Sequence, residues 1–164
     1  MTNDLRKGFG SNRKWLNEPI VLFVEGYSDL IFYAELLEHV GLFDCFIQDL
    51  GGKGRTKLRN EALLLLKPDN LARMKAIAVV LDADDNADAS FTLARDAIRD
   101  VLGMDVAEPE SWFEEPHTKA RFGVFISGGP DGTGEVKSLA WDAWQSDADN
   151  STLKECVEEF IGCS

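Results

Sequence analysis

AIAVVLDADDNADAS, residues 76–90, begins apolar and turns abruptly acidic. Residues 76–81 are all apolar and include the β-branched Ile77, Val79 and Val80, which predicts a strand covered on both faces. Asp82, Asp84, Asp85 and Asp88 follow at once. Carboxylates packed this closely repel one another, and burial adds to the cost. Either water absorbs the charge or a cation belongs beside it. Asp88 suits the first turn of a helix, where the dipole favours an acid. A helix is expected over 88–102, with Phe91, Ala94, Ile98 and Val101 on one face and Gly103 as its stop.

Working outward, PIVLFVEGYSD at 19–29 repeats the arrangement. Residues 20–24 predict a buried strand, Glu25 and Gly26 a turn, Ser28 a cap and Asp29 a first-turn acid. A helix over 30–40 ends at Gly41. Residues 45–50 read as a strand. The loop GGKGRTK leads to a helix over 57–67 that Pro68 closes. Residues 104–119, with Pro109 and Pro116, read as an irregular excursion. Residues 121–127 predict a strand, GGPDGTG a loop, and 135–144 and 151–161 two more helices. Residues 1–18 are expected to be a flexible lead-in and 19–164 a single α/β domain. Strands alternating with helices predict a mostly parallel central sheet with helices on both faces. Ligand sites in such sheets lie at the carboxyl ends of the strands, which is where Glu25, Asp82 and Asp84 fall.

Composition narrows the function. Of 164 residues, 45% are hydrophobic, enough for a packed core. Acids outnumber bases 29 to 17, a net charge of -12. Tight, sequence-independent nucleic-acid binding usually needs a basic face. Any nucleic acid is therefore expected to bind weakly to this chain alone, or through a partner. Cys45, Cys156 and Cys163 form no zinc pattern and no disulfide framework. With no apolar run near the ~18 residues that span a bilayer and no signal core at the start, the expectation is a cytoplasmic protein with no membrane association.

Three carboxylates at neighbouring strand ends suit a hard divalent cation. Residues two apart in an extended chain face the same way, so Asp82 and Asp84 are expected to aim together. Mg²⁺ binds one or two carboxylates, keeps waters and takes substrate phosphate, an arrangement fit for phosphoryl transfer. An EF-hand beginning at Asp82 fails, because Ala87 stands where glycine is needed and Leu93 where glutamate is needed. No phosphate-cradling GxxxxGK[ST] loop is present.

VEGYSD with LDADD resembles the Toprim domain of topoisomerases, primases and OLD-family nucleases. That family carries a Glu-Gly after its first strand and an Asp-x-Asp after a later one. Here these are Glu25-Gly26 and Asp82-Ala83-Asp84. The likeness extends over residues 19–144 and is greatest to small stand-alone Toprim-related proteins, with Glu135 as the acid that opens a later helix. The resemblance implies a Toprim-like, Rossmann-like three-layer fold and a Mg²⁺- or Mn²⁺-dependent site that makes or breaks phosphodiester bonds. By it, Glu25 is a metal ligand or general acid/base, Asp82, Asp84 and Glu135 are ligands, Asp29 is a further acid, and Lys53 or Lys137 is an assisting cation. The chain lacks the tyrosine-bearing domain of a topoisomerase and the zinc-ribbon cysteines of a primase.

GGKGRTKLR, residues 51–59, gathers Lys53, Arg55, Lys57 and Arg59 after a strand. It is read either as a phosphate contact or as a solvated face. Trp112, Trp141 and Trp144 are expected in the core. His39 and His117 suggest no metal or triad site. Three functions compete: a metal-dependent nuclease; a non-catalytic metal- or nucleotide-binding module working with an ATPase in a defence or repair complex; and a receiver-like signalling domain. A receiver carries its acid pair after the first strand, and here the order is inverted. A haloacid-dehalogenase phosphatase would need Asp-x-Asp where Glu25 stands.

Overall fold

A computed structural model gives the fold. It describes residues 6–9, 14–51, 54–59, 66, 68–128, 133–136, 140, 142, 143 and 146. The strands are β1 (Arg6–Gly8), β2 (Ile20–Val24), β3 (Phe46–Asp49), β4 (Ala76–Asp82), β5 (Trp112–Glu114) and β6 (Arg121–Ser127). They form one six-stranded sheet in the order β1-β3-β2-β4-β6-β5. Neighbours run parallel except β5, which is antiparallel to β6. The helices are α1 (Tyr27–His39), α2 (Gly54–Lys57), α3 (Pro68–Leu71) and α4 (Ala87–Leu102). Among the described residues no helix is long and apolar enough to cross a membrane.

Strand periodicity divides the core into two. Val21, Phe23, Ile77, Val79, Leu81, Phe122 and Val124 point to one face, where Phe91, Ala94, Ala97 and Ile98 of α4 meet them. Leu22, Val24, Ile47 and Val80 point to the other, under Leu30 and Ala34 of α1. Burial on both sides explains why β2 and β4 read as continuous apolar runs. The path from β2 through α1 to β3 moves one way across the sheet. The path from β4 through α4 to β6 moves the other way. Right-handed crossovers in opposite directions put their helices on opposite faces. The order therefore turns between β2 and β4, where such sheets open a crevice at their carboxyl ends.

Several expectations need correction. The stretch expected as a flexible lead-in contributes β1, paired with β3, and a 3-10 turn at Lys14–Asn17. Trp15 is buried there, its ring 4.8 Å from and edge-on to Phe23. Pro68 opens α3, as the fixed φ and missing N–H of proline permit in a first turn. Of the helix expected over 57–67, Lys57 is the last residue of α2, and residues 60–65 and 67 lie outside the described residues. The excursion at 104–119 includes β5, whose three residues are too few to show alternation. Trp112, expected in the core, is 43% exposed. It lies on the sheet edge beneath the Arg121 guanidinium, 5.0 Å from its ring centre. Of the helix expected over 135–144, the described residues 136, 140, 142 and 143 are helical; the helix expected over 151–161, Cys156, Cys163, Trp141 and Trp144 lie outside the described residues.

Candidate functional site at the carboxyl edge

Sheet register brings four polar residues to one edge. Val24 pairs with Val80 on one side and Asp49 on the other, so Glu25 steps off β2 between them. Asp82 ends β4 opposite Ser127, the last residue of β6. Across β3, β2, β4 and β6 the edge thus carries Asp49, Glu25, Asp82 and Ser127. Glu25 and Asp82 meet directly: the Asp82 N–H points to Glu25 Oε2 at 3.5 Å, across 57 positions of sequence.

Asp82 is held by two donors. Its Oδ1 accepts the Ser127 hydroxyl at 3.0 Å and the Val136 N–H at 3.1 Å. Burial pushes its carboxyl above the usual carboxylate range; those two hydrogen bonds oppose the rise, and the charges of Glu135 and Asp84 add to it. The combined push is what a partly desolvated acid among like charges should feel.

Asp84 does not continue the strand. Its φ is +48°, in the left-handed region, so the alternation expected to aim it with Asp82 stops at Ala83. A different device holds it. Asp84 N–H donates to Gly134 O at 3.0 Å and Gly134 N–H donates to Asp84 O at 2.6 Å. This bridge brings residues 133–136 back over the edge, and with them Glu135. Gly128 makes the closure possible. A Cβ there would stand 2.8 Å from the Ala83 Cβ and 2.9 Å from the Thr133 carbonyl oxygen. Asp85 and Asp88 are exposed. Asn86 caps α4, its side chain accepting the Ala89 N–H at 3.0 Å.

Asp29 has a structural task. It is 6% exposed, and its Oδ2 accepts the Gly26 N–H at 2.8 Å, fixing the turn that carries Glu25. This is the reciprocal half of a capping box. Lys53 and Lys137 lie outside the described residues. Arg59, read with its neighbours as a phosphate contact, is paired with Asp100 at 3.2 Å, near the far end of α4.

Sequence reasoning missed Ser127, Tyr33 and Asp49. Tyr33, on α1, has its phenol near Ser127. Burial raises its pKa, the Ser127 hydroxyl opposes this, and the charges of Asp29 and Asp82 add to the rise. The only sequence signal for Tyr33 was its position one helical turn after Asp29.

Among the described residues no three His, Cys, Asp or Glu side chains form a ready set of metal ligands. Mg²⁺ needs fewer, because it keeps its waters and binds through one or two carboxylates. The donor chemistry fits that mode. Oδ1 of Asp82 is taken up by two protein donors, while among the described residues none is directed at Oδ2. Glu25 reaches the Asp82 backbone N–H at the end of β4, and the like charges of Glu135 and Asp84 bear on the Asp82 carboxyl.

Residues 19–161 match a family described as protein of unknown function, DUF3226, and the chain belongs to that family. Comparison with curated proteins and with solved structures returned no match.

Proposed function

We propose that this member of the DUF3226 family is a Toprim-like domain that holds Mg²⁺ or Mn²⁺ at the turn in strand order. On this reading it makes or breaks phosphodiester bonds, with a partner protein such as an ATPase. The observation that carries the reading is the meeting of Glu25 and Asp82 across β2 and β4. Support also comes from the raised carboxyl of Asp82, pushed up by burial and by the like charges of Glu135 and Asp84.

Asp82 and Glu25 are the primary ligands, with Asp84 and Glu135 at the rim. When bound, the ion polarises a phosphoryl oxygen and acidifies a water. The protein's own part is positioning. A serine hydroxyl has one proton to give. Ser127 can give that proton to Asp82 Oδ1 or to the Leu81 carbonyl, at 3.0 and 3.3 Å. The charged acceptor makes the stronger bond. Asp29 holds the Gly26 turn, so Glu25 is presented as a ligand or as the group that takes a proton from the attacking hydroxyl.

Thermal unfolding with titrated Mn²⁺ or Mg²⁺ tests the reading, on wild type and Asp82→Ala. An ion bound only by the folded state stabilises it by about 2.7 kcal/mol at a hundredfold excess over Kd. The expected result is a saturable rise in wild type that the variant loses. An equal response in both proteins sinks the metal site. Saturable binding with no cleavage of a phosphodiester, even with an ATPase partner, turns the reading into a non-catalytic binding module.

A further inference from the structure

We propose that Lys57 grips a second phosphate, next to the one at the carboxylate centre, so that the site takes substrates with phosphates in series. The inference rests on the reading above for the position of the first phosphate. Lys57 ends α2 and is half-buried. Its ammonium rests on the turn that leaves β3. Gly51 there has a φ of +73°, and a Cβ on it would come within 2.7 Å of Lys57 Nζ. Glycine thus provides both the left-handed turn and the room for the ammonium. Asp49, at the end of β3, has its Oδ1 engaged by the Gly51 N–H. The ion pairs among the described residues join Arg59, Arg95, Arg99 and Lys119 to acids, and Lys57 takes part in none.

Geometry sets the substrate class. The carboxylate centre sits at β2 and β4, and Lys57 stands over the end of β3. The centre lies between β2 and β4, so the end of β3 is one and a half strand spacings away, about 7 Å. An ammonium that far along the edge lies beside the phosphate next to the one held at Asp82. Lysine suits this role as a point charge that binds phosphate without demanding one orientation. A nucleic-acid strand and a nucleoside diphosphate both present phosphates in series, and the acidic chain makes low salt the condition for measuring either.

The test compares wild type, Lys57→Gln and Lys57→Arg in Ca²⁺, with a fluorescent single-stranded 12-mer of DNA, ADP and inorganic phosphate as probes. Lys57→Gln is expected to weaken 12-mer binding several-fold and to reduce the slope of log affinity against log salt by about 0.7. Lys57→Arg restores both, and inorganic phosphate binds all three proteins equally. An equal loss for ADP assigns the series to a nucleoside diphosphate, and a loss confined to the 12-mer assigns it to a strand. The proposal is overturned if neither serial probe distinguishes Lys57→Gln from wild type. Mn²⁺ stabilisation, measured alongside, separates the two readings. Its retention in Lys57→Gln with unchanged probe binding removes only Lys57. Its absence in wild type with Lys57-dependent probe binding removes only the metal.

Discussion

At the amino edge of the sheet, Ile20, Ala76, Ala78, Leu37, Leu42 and Trp112 help enclose an apolar cavity of about 350 Å³. At the carboxyl edge, the same strands β2 and β4 end in Glu25 and Asp82, joined there by Ser127 and Asp49. Between the edges lie the fully buried Phe23 and Ile77. One sheet thus carries an apolar end and a charged end. Apolar side chains pack at the amino edge without needing partners. At the carboxyl edge each polar group must find one, and most found theirs within the protein: Gly26 for Asp29, Ser127 and Val136 for Asp82. What singles out the edge is the Asp82 carboxyl, partly buried among the like charges of Glu135 and Asp84.

The largest way to break the comparison is to remove what both edges share. Phe23→Ala should cost about 3–5 kcal/mol in chemical unfolding. It should weaken both edges together, since the ring supports Trp15 and the centre of β2. A cost under 1 kcal/mol would mean that the two halves pack independently.

Asn86→Ala is expected to cost about 1 kcal/mol, by loss of the cap on α4. It should also loosen the 82–86 loop, so Mn²⁺ affinity falls with stability. An unchanged affinity would show that the loop is held by the Asp84–Gly134 bridge alone.

Asp82→Asn should act in the opposite direction. The folded-state pKa of Asp82 is raised, so its ionised form is disfavoured by folding. Below the ordinary carboxylate range both states are protonated and this disadvantage is absent. It develops as pH rises through the elevated folded value. Without metal, the asparagine variant should therefore gain on wild type in melting temperature over that window and level off above it. A gain already complete in acid would contradict the electrostatic origin. The amino edge offers the control: Cys45 is half-buried, and burial pushes its thiol up to about 11. It should react with a thiol reagent at pH 8 far more slowly in the folded protein than after denaturation, with no effect on stability.

Much of this was legible in residue order. The runs at 20–24 and 76–81 are apolar because both faces are covered, and that composition survives without any structure. Glu25 and Asp82 were legible for the same reason, since an acid directly after such a run must sit at the sheet's edge. Ser127 and Asp49 were not. Their place beside Asp82 and Glu25 follows from register, which a strand's own sequence does not state. The aim of Asp84 was misjudged because alternation was extended past the strand's end into a left-handed residue. β1 and β5, with three residues each, are too short for a period to show, and their strand character comes from their neighbours.

The most direct measurement is anomalous scattering from a crystal soaked in Mn²⁺. The account predicts a peak between β2 and β4, with carboxylate oxygens of Asp82 and Glu25 about 2 Å from it. An ion on Asp85 or Asp88 instead, or none at saturating Mn²⁺, would contradict it and leave the acids as a solvated strand end.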